Sequence, residues 1–265
     1  MELGLGQPVL KDDTNILSVK IPKEMEHAIP TGHPQMDSLF SGDGIIAGTV
    51  TLITGDPGAG KSTMMQDLSD CLTGKGHIAI YVTGEESVYQ IRRVAKRLAL
   101  KNGFIVSHKT EAEEIIAHVE RLRNLKKNKD KKVFLTVDSL PCLRIQQDEG
   151  KRGRPLSEGK QAIIGLEMLT QYAKNNWMPL FLINHVTKSG VAAGKQTIKH
   201  IVDSHLHLGV NVDKESGMVN RTVEMMKNRF GPSGVVYDVE MTKGGLVFGQ
   251  RLGKGDGLAS DGDGE

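Results

Sequence analysis

A nine-residue run in the first quarter of the chain has the residue types and spacing of a phosphate-binding loop. Its members are Gly55, Asp56, Pro57, Gly58, Ala59, Gly60, Lys61, Ser62 and Thr63. They fit the pattern G-x-x-x-x-G-K-[ST], in which glycines let backbone N–H groups close around phosphate oxygens. Lys61 is then expected to reach the β- and γ-phosphates of a nucleotide, and the Ser62 hydroxyl to ligate Mg²⁺.

The flanking sequence supplies the elements that must position this loop. An apolar, β-branched run at residues 49–54 predicts a buried strand before it, and residues 62–72 predict a helix after it. The positive end of such a helix points at the bound phosphates. A glycine-rich turn with an incidental lysine would not need both elements, so the pattern indicates a nucleotide site.

Acidic residues follow two further predicted strands. Residues 77–83 lead to Glu85 and Glu86, and residues 133–139 include Asp138. A glutamate at the exit of a central strand can orient an attacking water, although acids there also stabilise the start of a helix, here predicted at 87–98. Asp138 fits a Walker-B aspartate that holds Mg²⁺ through water; a helix-capping role is the alternative.

His185 ends a fourth predicted strand, residues 178–185. A polar residue at that tip, beside the Walker-B strand, can sense a γ-phosphate. A histidine that is merely hydrogen-bonded explains the local sequence equally well.

Composition limits the classes of protein to consider. The 265 residues carry a formal net charge of only +2, so nucleic-acid affinity would have to come from local basic patches. We predict that Cys71 and Cys142 are small core residues, forming neither a disulfide framework nor a metal site. His200, His205 and His207 are expected to be structural or exposed. No apolar run is long enough for a membrane span and no signal-peptide pattern occurs, which favours a cytoplasmic protein without membrane contact.

Predicted strands and helices alternate up to residue 185, after which hairpins follow. This order indicates an α/β fold with a mostly parallel central sheet, flanking helices and an antiparallel C-terminal edge. We expect an N-terminal arm at 1–24, one domain at 25–250 and a disordered acidic tail at 251–265. A short strand is expected at 15–21, with polar or basic loops at 144–160 and 188–195.

Four short motifs resemble one family. The runs 29–32 (IPTG), 84–87 (GEES), 185–188 (HVTK) and 227–231 (KNRFG) occur in the order found in RadA (Sms), the bacterial RecA-like DNA-repair ATPase. The resemblance covers about residues 25–248; KaiC and the DnaB-type helicases are more distant relatives. It implies a RecA-like P-loop NTPase core. The zinc finger and the Lon-protease-like domain of RadA have no counterpart in this sequence.

The resemblance also implies roles for individual residues. ATP with Mg²⁺ is the expected ligand, Glu85 matches the catalytic glutamate with Glu86 as the alternative, and His185 would sense the γ-phosphate. Lys227 and Arg229 would act in trans on the ATP of the neighbouring subunit, as arginine fingers do. The resemblance further implies that the subunits assemble into a hexameric ring with ATP at the subunit interfaces.

Single-stranded DNA is the partner that the resemblance implies. Residues 144–160 and 187–197 take the positions of the two DNA-binding loops of RecA-like proteins. Their basic side chains would follow the phosphate backbone: Lys151, Arg152, Arg154, Lys160, Lys188 and Lys195. Neither loop contains an aromatic residue, so binding should be insensitive to sequence and sensitive to salt.

A motor in recombination, repair or replication, such as a ring helicase or branch-migration factor working with other recombination or replication proteins, is the function expected first. A filament-forming recombinase or mediator and a KaiC-like regulatory ATPase that does not act on DNA are the alternatives. Images of the protein on single-stranded DNA would distinguish a motor, which forms closed rings, from a recombinase, which forms open filaments. A role of the basic loops in DNA binding would distinguish both of these from the regulatory ATPase.

Overall fold

The computed structural model describes residues 15–147, 156–184, 192–212 and 218–252, with the backbone alone for 192–196. These residues form one sheet of nine strands in the order β3-β2-β4-β5-β1-β6-β7-β8-β9. The strands are β1 (Val50–Gly55), β2 (Ile78–Thr83), β3 (Ile105–Ser107), β4 (Val133–Asp138), β5 (Leu180–Ile183), β6 (Ser204–Val212), β7 (Val219–Asn228), β8 (Val235–Thr242) and β9 (Gly245–Arg251).

Strand direction divides the sheet into two parts. β1 to β6 pair in parallel, with β1 hydrogen-bonded between β5 and β6. β7, β8 and β9 continue the sheet as an antiparallel edge. The predicted α/β fold with a mostly parallel sheet and an antiparallel C-terminal edge is therefore confirmed.

Seven α-helices lie in the described residues, and the last six of them cover both faces of the parallel part. The seven are α1 (Lys23–Glu26), α2 (Pro34–Phe40), α3 (Lys61–Gly74), α4 (Val88–Arg97), α5 (Ala112–Arg123), α6 (Glu158–Asn175) and α7 (Ala192–Ile201). Residues of α2, α3 and α4 enter one apolar core, and residues of α5, α6 and α7 enter a second core across the sheet. Within the parts of the chain that the structure describes, no helix has the length and apolar character of a membrane span.

Strand β1 shows why its sequence is apolar almost throughout. Val50 and Leu52 belong to the core under α5, α6 and α7, whereas Ile53 belongs to the core under α2 and α3. Side chains alternate between the faces of a strand, and a parallel sheet is covered on both faces. Burial on both sides leaves no exposed position in the strand, and its two threonines, Thr51 and Thr54, are buried as well.

The strand expected at residues 15–21 is wrong. Ile16–Ser18 form a single 3₁₀ turn that Asn15 caps, its side chain accepting a hydrogen bond of 3.0 Å from the Leu17 N–H. Ile16 and Leu17 are exposed. An isolated strand has no partner for its backbone groups, whereas an asparagine can satisfy them locally.

The basic loop expected at 188–195 is wrong for the residues that the structure describes, because α7 begins at Ala192. Ile198 and Val202 are both buried in the core beneath α6. Their spacing of four residues places them on one helical face, and this packing supports a helix despite the glycine at position 194. Residues 188–191 lie outside the described part.

Candidate nucleotide site

The glycine-rich loop joins β1 to α3 with a backbone that requires glycine. Gly55, Gly58 and Gly60 have φ angles of +147°, +75° and +106°, a region that side chains strongly disfavour. A Cβ on Gly55 would also lie 2.2 Å from the Leu208 carbonyl oxygen of the neighbouring strand β6. These glycines thus turn the chain sharply from the sheet edge into the helix.

Lys61 places its ammonium group inside this turn. Its Nζ donates hydrogen bonds of 2.8 and 2.9 Å to the carbonyl oxygens of Gly55 and Asp56, and the residue is only 4% exposed. Burial lowers the pKa of Lys61, while the negative charges of Asp138 and Asp56 act in the opposite direction. The two carbonyl oxygens thus hold the Lys61 side chain beside the loop, where phosphate oxygens would be its partners in a nucleotide complex.

Ser62 and Asp138 meet at the carboxyl ends of the parallel strands, although 75 residues separate them in sequence. The Ser62 hydroxyl donates to Asp138 Oδ2 at 2.7 Å, and the Tyr81 hydroxyl donates to the same oxygen. Burial, followed by the charge of Asp138, raises the pKa of Tyr81 well above its usual value. Tyr81 consequently stays protonated and holds the carboxylate in place as a hydrogen-bond donor.

We expect Tyr81→Phe to lower the free energy of unfolding by about 2 kcal/mol, since hydrogen bonds to charged groups contribute about 1.5–3 kcal/mol. Urea unfolding at neutral pH measures this loss. Tyr237→Phe is a matched control, because the Tyr237 hydroxyl donates only to the neutral Ser38 hydroxyl. Its cost should be about 1 kcal/mol. An equal or larger loss in the control would contradict the role assigned to the Tyr81–Asp138 hydrogen bond.

Glu85 is held beside the same aspartate. Asp138 is the last residue of β4, and the next side chain, Ser139, donates to Glu85 Oε1 at 2.8 Å. The Cys142 thiol donates to the same oxygen at 3.4 Å. The backbone N–H groups of Glu85 and of its neighbour Glu86 both donate to the Thr83 hydroxyl, which fixes the turn after β2.

The polar groups around the P-loop fit a nucleotide bound with Mg²⁺. Backbone N–H groups of the loop and of the first turn of α3 can donate hydrogen bonds to a phosphate anion, and Lys61 adds a positively charged donor. Ser62 and Asp138 offer the hard oxygen atoms that Mg²⁺ prefers, and Glu85 stands next to them as a possible proton acceptor. These groups suit the binding and hydrolysis of a nucleoside triphosphate.

Lys227 and Arg229 lie at the opposite end of the strands, beside the first residues of β1 and β6. The Lys227 ammonium donates to the carbonyl oxygens of Lys199 and Val202, at 2.8 and 2.7 Å, and so caps the end of α7. Burial, then the charge of Arg229, lowers the pKa of Lys227. Arg229 donates to Asp203 at 3.2 Å, and the side chain of that aspartate is only 3% exposed.

The position of Arg229 keeps it away from its own phosphate loop. Its backbone N–H donates to the Asp203 carbonyl, and the Asp203 N–H donates to the carbonyl of Val50, the first residue of β1. Gly55 ends that strand five residues later. At about 3.3 Å per residue, the phosphate loop is about 16 Å away along β1. Arg229 therefore does not belong to the cluster of Lys61, Ser62, Asp138 and Glu85.

The other residues of the KNRFG motif have structural contacts. Asn228 donates to the Phe40 carbonyl oxygen at the end of α2 and accepts from the Ser204 hydroxyl at 3.2 Å. A Cβ on Gly231 would lie 2.5 Å from that Phe40 oxygen, so only glycine allows the close approach. These two residues join the antiparallel edge to α2, while Lys227 and Arg229 lie beside the start of β6.

The remaining predicted site residues are placed only in part. His185, Lys151, Arg152, Arg154 and Lys188 lie outside the described residues. Lys160 is exposed in the first turn of α6, so it belongs to a helix rather than to the polar loop that precedes it. Lys195 lies in α7, and its side chain is not described.

The histidines and cysteines differ from one another in their surroundings. His205 and His207 both hydrogen-bond the Thr54 hydroxyl, at 2.7 and 2.9 Å, and burial lowers the pKa of His205 to about 4. His205 is thus a neutral, structural residue, as predicted. Cys71 and Cys142 are free thiols, but both are only half-buried, so the prediction that they are core residues is wrong.

Sequence reasoning did not predict three residues that make contacts at the two ends of the strands: Tyr81, Ser139 and Asp203. A tyrosine within the buried strand β2 needs a partner for its hydroxyl, and this could have indicated a polar neighbour such as Asp138. Ser139 directly follows that aspartate. Asp203 had no comparable signal, because its importance comes from contacts with the distant residues Lys174 and Arg229.

The sheet order, the glycine-rich loop on the central strand β1 and the aspartate at the end of β4 define a RecA-type P-loop nucleotide-binding fold. The sequence model of the ATPase family KaiC matches residues 29–252. The chain therefore belongs to the KaiC family of ATPases, and its ATPase core is of the RadA-like RecA-superfamily type.

Curated relatives carry the name DNA repair protein RadA. The chain is 33% identical over 226 residues to the protein of Brucella abortus (strain 2308), covering 84% of this chain and 46% of that relative. It is 32% identical over 240 residues to the protein of Aquifex aeolicus (strain VF5), covering 90% of this chain and 50% of that relative. The chain thus spans about half the length of the curated relatives it matches.

Solved structures support the same fold. A KaiC-like protein from Pyrococcus horikoshii OT3 superposes with a TM-score of 0.64, covering 84% of this chain and 99% of that chain. Only 20% of the aligned residues are identical. The agreement between the two chains is therefore one of fold.

Proposed function

We propose that this protein is a DNA-dependent ATPase motor of the RadA type, acting in DNA repair, recombination or replication. In this proposal, ATP and Mg²⁺ bind at the edge formed by the P-loop and Asp138. The subunits assemble into a hexameric ring that moves along single-stranded DNA as a helicase or branch-migration factor. The names of the curated relatives support the link to DNA repair.

The separation of Arg229 from the P-loop carries the proposal. The cluster around Lys61 can hold and hydrolyse ATP, but its described residues include no arginine that contacts the loop. Lys227 and Arg229, which the RadA resemblance assigns to a trans-acting pair, lie about 16 Å away along β1. A neighbouring subunit that places the surface bearing Lys227 and Arg229 against the P-loop would supply both of these basic side chains to the ATP.

Each residue then has a role in hydrolysis. Lys61 and the P-loop amides, from Gly55 to Thr63, would bind the phosphates, and Ser62 and Asp138 would hold Mg²⁺, which would neutralise charge on them. Glu85 orients the attacking water and accepts its proton, while Ser139 positions this carboxylate. His185 senses the γ-phosphate. The neighbour's Lys227 and Arg229 would stabilise the charge that develops on the transferred phosphoryl group.

DNA binding would rest on basic residues that precede α6 and α7 in the sequence or lie in their first turns. The residues concerned are Lys151, Arg152, Arg154, Lys160, Lys188 and Lys195. Electrostatic contacts of this kind follow the phosphate backbone without reading its sequence. A KaiC-like ATPase that does not act on DNA is the second candidate, favoured by the family match over residues 29–252.

The triple variant Lys151→Ala/Arg152→Ala/Arg154→Ala tests the DNA proposal. We expect loss of DNA-stimulated hydrolysis with basal hydrolysis retained. The plot of log affinity against log salt should become shallower by about 2, since each contact with a single strand contributes about 0.7. Fluorescence anisotropy with labelled single-stranded DNA at several salt concentrations measures this slope.

A second basic run provides the matched control. Lys126, Lys127 and Lys129 are exposed and lie near the end of α5. Replacing all three by alanine removes the same charge and should leave the salt slope and the DNA stimulation unchanged. Equal losses in both triple variants would count against a specific DNA loop, and a wild-type protein without DNA stimulation would favour the KaiC-like candidate.

A further inference from the structure

Three potential metal ligands that take no part in the nucleotide site meet beside α3. They are His33 Nε2, a carboxylate oxygen of Asp67 and Cys71 Sγ, and all three atoms lie within 4.8 Å of one another. The distance from His33 Nε2 to Cys71 Sγ is 3.1 Å, and that to Asp67 Oδ2 is 3.4 Å. All three residues are half-buried, so the cluster is shielded but accessible.

Local structure holds these ligands in position. Asp67 and Cys71 are four residues apart on α3, which places their side chains on one face of the helix. His33 caps α2 ahead of Pro34, and its N–H donates to the Thr31 hydroxyl at 3.1 Å. That hydroxyl donates to Asp37 at 2.7 Å. The turn bearing His33 is thus fixed against α2.

The spacing of the ligands suits a tetrahedral metal ion. With bond lengths of about 2.0–2.1 Å to nitrogen or oxygen and 2.3 Å to sulfur, tetrahedral zinc separates nitrogen from oxygen by about 3.4 Å and nitrogen from sulfur by about 3.6 Å. The first value matches the distance of 3.4 Å from His33 to Asp67, and the second is about 0.5 Å longer than the distance of 3.1 Å from His33 to Cys71. Small side-chain rotations would complete the fit.

A small cavity adjoins the cluster. It has a volume of about 20 Å³ and is lined by His33 and Asp67, by Met36, Met64 and Leu68 of the two helices, and by Leu246 and Phe248 of β9. This volume holds about one water molecule. A water at this place could complete four-coordination, since three protein ligands leave one position open.

We propose that His33, Asp67 and Cys71 form a binding site for a divalent ion of the zinc class. Nitrogen and sulfur ligands select Zn²⁺, Co²⁺ or Ni²⁺ over Mg²⁺ and Ca²⁺, so the ion is distinct from the one that accompanies ATP. On binding, the thiol and the imidazolium release their protons to solvent, and no redox change occurs. The ion would fasten α2 to α3, the helix that begins at Lys61.

Cobalt is the probe for this site, because a Co²⁺–thiolate bond gives a near-ultraviolet charge-transfer band. We expect the full chain, stripped of metal with a chelator, to bind one Co²⁺ at pH 8 with this band, and Zn²⁺ to displace the cobalt. Cys71→Ser should remove the band, whereas Cys142→Ser should keep it. His33→Asn and Asp67→Asn should each weaken Co²⁺ binding at least about tenfold, since even outer-shell changes cost 10–100-fold.

Three results would overturn the proposal: a wild-type protein without the band, a band that persists in Cys71→Ser, or wild-type affinity in both His33→Asn and Asp67→Asn. Circular dichroism shows whether each variant is folded. If Cys71→Ser does not fold, thiol alkylation of the wild-type chain gives the answer. Zn²⁺ should slow the labelling of Cys71 and leave that of Cys142 unchanged, and equal labelling rates with and without Zn²⁺ would reject the site.

Discussion

Replacing Glu85 by glutamine is expected to reduce ATP hydrolysis by about 10³-fold, because general-base catalysis contributes about 10²–10⁴-fold. ATP binding should persist, since Glu85 contacts Ser139 and Cys142 rather than the phosphate loop. Glutamine keeps the shape of the side chain and an oxygen that can accept the hydrogen bond from Ser139. Steady-state phosphate release and equilibrium binding of a fluorescent ATP analogue measure the two effects separately.

Glu86→Gln is the matched control for this experiment. The Ser139 hydroxyl beside Asp138 donates to Glu85 Oε1, whereas Glu86 acts electrostatically on Tyr81. We therefore expect Glu86→Gln to reduce hydrolysis much less than Glu85→Gln. If Glu86→Gln causes the larger loss, the two glutamates exchange roles. If neither variant loses hydrolysis while ATP remains bound, the assignment of the general base to this turn is wrong.

Arg229→Ala is expected to reduce hydrolysis by about 10³-fold or more, the effect typical of an arginine finger, with ATP binding unchanged. The physical reason is the distance of Arg229 from its own P-loop. Mixing this variant with Lys61→Ala subunits should restore activity, because some interfaces then combine an intact P-loop with an intact finger. In a randomly mixed ring of equal parts, about a quarter of the head-to-tail interfaces are intact.

Two controls make this mixing experiment interpretable. Arg229 is paired with the buried Asp203, so urea unfolding must show that Arg229→Ala remains folded. Arg121→Ala removes an exposed arginine on α5 whose guanidinium hydrogen-bonds His118 of the same helix, and should leave hydrolysis unchanged. No recovery at any mixing ratio, with both variants folded and able to associate, would count against a shared site.

The sequence could locate the P-loop and Asp138 because each belongs to one short run of residues, while their roles in nucleotide binding stay predictions. The glycines of the P-loop, Lys61 and Ser62 are consecutive, and the backbone angles of Gly55, Gly58 and Gly60 explain why their positions need glycine. Asp138 could be predicted from a single apolar strand. In each case a short run of residues contains both the structural element and the group that it positions.

The errors concern features that depend on distant contacts. Asn15 caps a 3₁₀ turn where alternating residues suggested a strand, because no neighbouring strand is paired there. α7 is supported by the burial of Ile198 and Val202 against a core that its own sequence does not contain. Tyr81 and Asp203 escaped notice because their partners, Asp138 and Arg229, come from other parts of the chain.

Imaging of the protein by electron microscopy, with single-stranded DNA and a non-hydrolysable ATP analogue, tests the shared site most directly. We predict closed rings in which each ATP analogue lies on the P-loop of one subunit, with Lys227 and Arg229 of the next subunit at its γ-phosphate. Single subunits that hold the analogue, or assemblies in which Arg229 stays on Asp203 and faces away from every nucleotide, would contradict the account.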